Sequence, residues 1–299
     1  MKKLRLLILP NILFVILFVL VLQKAPEGRE FDSPIAFIVV FFLAEIVYLY
    51  AVLKKKSRAA SDVATIIFAF FLFWEWFTKY GNAHAVLMPS LENVFNVFVV
   101  DYANMLEGLV SSLKLLGMGV SLALVFGIGL GIFVGWIKRL REALFPIAKV
   151  LSTIPALVYV PYVVAIMPTF KMASTFVVFS GVFWPTFMYV INYIAGIDKK
   201  ILDSAKTLNV TTPTMIFQII LPYIFPGIVR NLALSVSSAF MCLTGAEMIG
   251  ASSGLGYYVQ KAASFINYPK VLAGIIFIGV VVTFINKFIV FLEKKFVKW

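Results

Sequence analysis

DSAKTLNVTTPTMIFQIILP, residues Asp203–Pro222, is a moderately polar stretch between two long apolar segments. Its order of residues predicts two short helices meeting at a bend. Asp198 and Asp203 precede helix-compatible residues, where a carboxylate favours a helix N-terminus. Asn209 breaks the run, because asparagine is second only to glycine in tolerating a left-handed backbone turn. Thr212-Pro213 restarts a helix, since proline is tolerated in a first turn. Met215, Ile216, Ile219 and Ile220 give this second helix an apolar side, and Pro222 is expected to end it. The product is a bent knob with exposed apolar residues. It suits docking into a groove of another protein; the bland alternative is a linker lying on lipid headgroups.

The surrounding chain is 62% hydrophobic and 13% charged, against about 25% charge in a soluble domain. That composition excludes an ordinary soluble core and gives an all-α, polytopic membrane protein. A helix needs roughly 20 apolar residues to cross a hydrocarbon core of about 30 Å. Segments 4–22, 35–53, 63–80, 110–136, 144–168, 172–195, 224–245 and 271–292 qualify, giving about eight transmembrane helices. The opening run reads as a retained anchor, because Gln-Lys-Ala-Pro-Glu follows it instead of a small-residue cleavage site.

The net charge of +12 would suit nucleic acid, but the basic residues cluster in short loops, where they orient helices. No nucleic-acid partner is expected. With the N-terminus inside, sixteen Lys and Arg fall in inside loops, among them Lys54–Lys56, Lys138, Arg139, Lys199, Lys200, Lys206 and Lys298. Six fall outside: Lys24, Arg29, Lys79, Lys171, Lys261 and Lys270. The bias places both termini and the Asp203–Pro222 knob in the cytoplasm.

Other features constrain chemistry. The single cysteine, Cys242, allows no intrachain disulfide, and the single histidine, His84, reads as a loop residue. There is no phosphate-binding GxxxxGK[ST], no HExxH and no carboxylate cluster suited to catalysis. No cofactor, metal site or catalytic residue is expected in this chain; any ATP is bound by another one. PSLENVFNVFVVDYANML (Pro89–Leu106) predicts an amphipathic helix at the outer surface with Ser90 as its N-cap. Gly127, Gly131 and Gly135 line one helix face, where small residues let another backbone approach. Pro146, Pro155, Pro161 and Pro168 interrupt segment 144–168, which kinks it or lets it line a pathway. Asn231, Ser235 and Ser238 share one helix face and are candidates for the pathway or for helix packing. Glu45 lies near the middle of an apolar segment, where an acid is costly. It supports an alternative reading as an ion-coupled secondary transporter. Glu75 lies nearer the outer interface, where a structural role fits.

The knob resembles the EAA loop of ABC importer permeases: Glu-Ala-Ala, three residues, Gly, nine residues, then Ile-x-Leu-Pro. Asp203, Ser204 and Ala205 take the first three places, Asn209 the glycine place, and Ile219, Leu221 and Pro222 the closing ones. AEMIGASSGLGYYVQKA (Ala246–Ala262), LMPS (Leu87–Ser90) and the LEKKFVKW ending resemble the nitrate/sulfonate/taurine branch. The likeness covers about residues 63–299, six of the eight segments. It implies a two-helix accessory segment over 1–60 and a six-helix type I importer permease core over 61–299, with the coupling loop at 198–222. It also implies a homodimer in a prokaryotic cytoplasmic membrane, two ATPase subunits and an extracytoplasmic solute-binding protein. Glu247 sits where the family tends to have an acid and is expected to serve as a gate or to brace a loop. Sulfonate carriers of this branch often have an arginine where this chain has Ala233, which leaves room for neutral or cationic cargo, such as a pyrimidine vitamin precursor.

Overall fold

The computed structural model describes residues 2–23, 31–54, 57–81 and 86–296. His84, Lys24, Arg29, Lys55, Lys56 and Lys298 lie outside the described residues, as do the side chains of Lys199, Lys206 and Ala233. No strand occurs among the described residues. Helices run at α1 (Lys2–Leu22), α2 (Ile35–Leu53), α3 (Arg58–Tyr80), α4 (Leu91–Val100), α5 (Tyr102–Trp136), α6 (Lys138–Thr153) and α7 (Ala156–Ile166). They continue at α8 (Phe170–Ala195), α9 (Lys199–Thr207), α10 (Thr212–Thr214), α11 (Leu221–Gly250), α12 (Leu255–Ser264) and α13 (Tyr268–Phe296). Among the described residues six are long and apolar enough to cross a membrane, or up to eight spans if each of two bent pairs counts as one. The apolar part of α1, Leu7–Leu22, is shorter.

The chain divides into two compact units. The first comprises residues 1–105 and 259–276. Its interior is aromatic. Phe14 stacks on Phe41 at 4.4 Å, Phe41 meets Phe68 edge-on at 5.0 Å, and Phe37 meets Phe95 at 5.1 Å. These rings come from α1, α2, α3 and α4, so four helices share one core. Ser90 caps α4 by accepting from the Asn93 amide, and Val94 and Phe95 turn inward while Val99 and Val100 stay exposed.

Lys79 is not the loop cation its sequence position suggests. It is buried, with Nζ 2.9 Å from Glu75 Oε1 and 3.0 Å from Glu92 Oε1. It also donates to the Leu20 and Val21 carbonyls at 2.8 and 3.2 Å. Those carbonyls end α1, where the helix leaves carbonyls short of donors, and the Leu20 carbonyl also accepts from the Gln23 amide at 3.3 Å. Two carboxylates and the negative end of a helix together offset the desolvation of one ammonium. Glu45 is also buried, and neither of its oxygens has a hydrogen-bond partner among the described residues.

The second unit comprises residues 106–258 and 277–299. α8 runs through its centre, with Val178, Val182, Phe187 and Ile191 packed against Ala239, Phe240 and Leu243 of α11. The glycine face of α5 lies on α8. A Cβ added to Gly131 would sit 2.8 Å from Val190 Cβ, and one on Gly135 3.2 Å from Ile194 Cβ. Gly129, on another face, meets nothing within 4 Å. Gly131→Leu is therefore expected to cost about 1–3 kcal/mol through overpacking and to lower the thermal midpoint in detergent. Gly129→Ala should hold or raise it, since alanine favours a helix by about 0.8–1.0 kcal/mol over glycine.

Segment 144–168 is sharply broken rather than gently kinked. α6 and α7 meet at 90°. Ile154, before Pro155, is extended with ψ 114°, because the proline ring excludes the helical region for its predecessor. Pro146 and Pro161 are accommodated inside their helices.

Candidate functional site

Two constellations sit at opposite ends of α11, both within the second unit. The first is the knob. Asp198 Oδ1 accepts from the Lys200 amide at 2.9 Å and so caps α9. Asp203 and Ser204 are exposed on α9, and Ser204 Oγ donates to the Lys200 carbonyl. Ala205 turns inward at 5% exposure, joining Val190, Ile194, Met215, Ile220 and Ile224 in one core cluster. Asn209 has φ 52°, in the left-handed region. The Val210 amide bonds back to the Ala205 carbonyl at 3.1 Å, which closes the end of α9 as a left-handed helix cap does. Thr211 and Thr214 hydroxyls pair at 2.9 Å around the new start.

Two details depart from the sequence reading. Met215 and Ile220 do not face outward; they anchor the knob, and Ile216 and Ile219 are half-buried. Among the described side chains of the knob, the most exposed apolar ones are Leu208, at 77%, and Phe217, at 68%, with Ile201 less so at 43%. Their signal was present: Leu208 directly precedes the left-handed residue, and Phe217 lies on the side of the helix away from Met215. Pro222 does not end the second helix either. Residues Met215–Ile220 form a π-helical turn, in which the Leu221 amide bonds the Ile216 carbonyl five residues back. That wider turn absorbs a ring that would clash with the carbonyl four residues earlier. Leu221 and Pro222 thus open α11, which runs on to Gly250.

Around the middle of α11 the polar residues diverge. Asn231 is half-buried, Ser235 is buried at 8%, and Ser238 is exposed. Ser237, which the face argument left aside, donates to Asn286 Oδ1 of α13 at 2.5 Å. Arg230 lies 3.5 Å from Glu293 of α13.

The second constellation closes on Glu247, which is 1% exposed. Its Oε1 accepts from the Ser112 hydroxyl of α5 at 2.6 Å, and its Oε2 accepts from the Gly256 amide at 2.8 Å. Ser112 Oγ in turn accepts from the Leu255 amide at 2.9 Å. One carboxylate and one hydroxyl therefore take the first two amides of α12, which a helix start leaves without partners. A carboxylate there also complements the helix dipole. Gly254, at φ 119°, has Glu247's carboxyl where a side chain would go, so the turn requires glycine. α11 and α12 are bent 43° apart at this clasp. Among the described residues no group of three or more His, Cys, Asp or Glu could hold a metal ion.

Helices long and apolar enough to cross a membrane thus carry a knob anchored in their core. Residues 127–298 match the family described as binding-protein-dependent transport system inner membrane component, and the chain belongs to that family. Similar proteins include permeases named for sulfonate, nitrate and taurine transport. It is 29% identical to SsuC of Bacillus subtilis, named for aliphatic sulfonates transport, over 76% of this chain and 83% of that one. It is 29% identical to the nitrate import permease protein NrtB of Synechocystis, over 62% and 67%. It is 26% identical to the taurine transport system permease protein TauC of Escherichia coli, over 66% and 72%. A structure of the MetNI methionine ABC transporter in an inward-facing conformation shares the fold, with a TM-score of 0.58 and 15% identity over 66% of this chain and 97% of that one.

Proposed function

We propose that the chain works as a homodimer with two ATPase subunits and an extracytoplasmic solute-binding protein, in a cytoplasmic membrane with both termini inside. It contributes no nucleotide site of its own. Each knob docks in a groove of one ATPase through Leu208 and Phe217, with Asp203 and Ser204 beside them. The observation that carries this reading is the anchoring of the knob. Ala205, Met215 and Ile220 fix it to α8 and α11, so closure of the ATPase pair on ATP moves those helices as well as the loop. α11 transmits the movement as a rod of 30 residues, about 45 Å long. At its far end the Glu247 clasp fixes α12 to the rod and to α5. Asn231, Ser235 and Ser238 lie along the rod between the two ends, where the pathway opens and closes. The cargo is a small solute handed over by the binding protein. The ion-coupled alternative is disfavoured because Glu45 lies in the first unit, outside the matched residues 127–298.

The test is a gentle purification from native membranes through a C-terminal tag, with mass spectrometry and an ATP hydrolysis assay. A stoichiometric P-loop ATPase and measurable hydrolysis are expected. A chain that emerges alone and inactive towards ATP overturns the proposal.

A further inference from the structure

We propose that a groove between α5 and α8 holds one membrane phospholipid, with its phosphate at Lys171 and one acyl chain along the helices. Met118 and Leu122 of α5 and Lys171, Met172, Phe176 and Phe179 of α8 line a cavity of about 500 Å³, within the range of pockets that bury a small ligand. All of them belong to the second unit.

The chemistry of the lining is asymmetric. Lys171 supplies its charge, and its ammonium has no ion-pair partner among the described residues. The body is methionine, leucine and phenylalanine, with Thr175 the one other polar residue in the lining. Methionines fit irregular apolar chains because their side chains are unbranched and flexible.

The dimensions match a lipid. Lys171 is in the first turn of α8, at one boundary of that span. Phe179 is eight residues further, about 12 Å along the axis. One leaflet of the hydrocarbon core is about 15 Å deep, half of the full thickness. The groove therefore starts at headgroup level and runs through most of one leaflet. Met118, Leu122, Met172 and Phe176 are exposed on its rim, so it opens sideways to the bilayer. A long lysine side chain reaches naturally to a phosphate at that level. A small soluble anion would find one cation and one threonine in walls that are otherwise apolar; a phospholipid satisfies both the charge and the apolar length.

The test is native mass spectrometry of the intact purified complex, comparing wild type, Lys171→Glu and Leu122→Trp. Matched thermal midpoints control for folding. One retained phospholipid per chain is expected in wild type. Retention should fall at least about fivefold in Lys171→Glu, given the attraction of one basic residue for an anionic headgroup. It should vanish in Leu122→Trp, where the indole fills the groove. Equal retention in all three, or none in wild type, overturns the proposal. Loss in Leu122→Trp alone overturns the placement of the phosphate. A disulfide between two copies through Met172→Cys, in a Cys242→Ser background, overturns it too, because a second chain would then occupy the groove. None of these outcomes depends on recovery of an ATPase.

Discussion

Replacing Leu208 and Phe217 together by aspartate is expected to abolish ATP-driven uptake while leaving the helices folded. Both side chains are exposed, and substitutions at exposed sites usually change stability by no more than about 0.5 kcal/mol. Docking is another matter. Burying one large apolar side chain contributes about 1.5–3 kcal/mol, and a carboxylate in its place must be desolvated without a partner. Losing two such contacts lowers affinity for the ATPase by at least about 100-fold, since 1.4 kcal/mol is tenfold. The measurements are uptake in proteoliposomes, recovery of the ATPase and the thermal midpoint. Uptake and recovery should fall together while the midpoint holds. Ala205→Asp is the contrasting variant. Ala205 is buried in the anchor, so this change should lower the midpoint itself.

Glu247→Ala is expected to reduce uptake at least tenfold and to destabilise the turn between α11 and α12. The change strips the Ser112 hydroxyl and the Gly256 amide of a shared acceptor. Each buried donor left unmade costs about 1–3 kcal/mol. Glu247→Gln keeps one carbonyl oxygen for the Gly256 amide, and the Ser112 hydroxyl can reorient to accept from the new amide. It should therefore retain most of the uptake. Hydrogen exchange at Leu255 and Gly256 separates the two variants, with fast exchange expected in the alanine variant alone. Normal uptake by Glu247→Ala would show that the clasp has no part in the cycle.

Local backbone chemistry was legible in the sequence because it depends on single residue types. Asn209 in a left-handed conformation, Thr212-Pro213 as a helix start and Ser90 as a cap all follow from what one side chain permits its own backbone. The α5 glycine face was legible for a similar reason, since four-residue spacing fixes a face without reference to the partner. The direction of a face was not legible in the knob. An apolar side at Met215, Ile216, Ile219 and Ile220 looks the same whether it meets a partner or the chain's own α8, and only the fold shows that Met215 and Ile220 turn inward. Prolines were legible as disturbances but not in their outcome. Pro155 produces a 90° corner, while Pro222 is absorbed by a π-helical turn. Lys79 was misplaced because charge counting treats a cation at a helix end as solvated. Here Glu75, Glu92 and the last carbonyls of α1 surround it. None of those partners can be paired with it by sequence spacing except Glu75, one turn earlier.

The docking of residues 198–222 on an ATPase is the central claim, and site-directed cross-linking tests it most directly. Phe217→Cys, in a Cys242→Ser background, would be treated with a short thiol-to-amine cross-linker in native membranes and the products identified by mass spectrometry. A cross-link from position 217 to a P-loop ATPase, weakened when ATP is withheld or when Leu208 is changed to aspartate, is the predicted result. A cysteine at 217 that reacts freely with a small soluble maleimide and links to no ATPase under any nucleotide condition would contradict it.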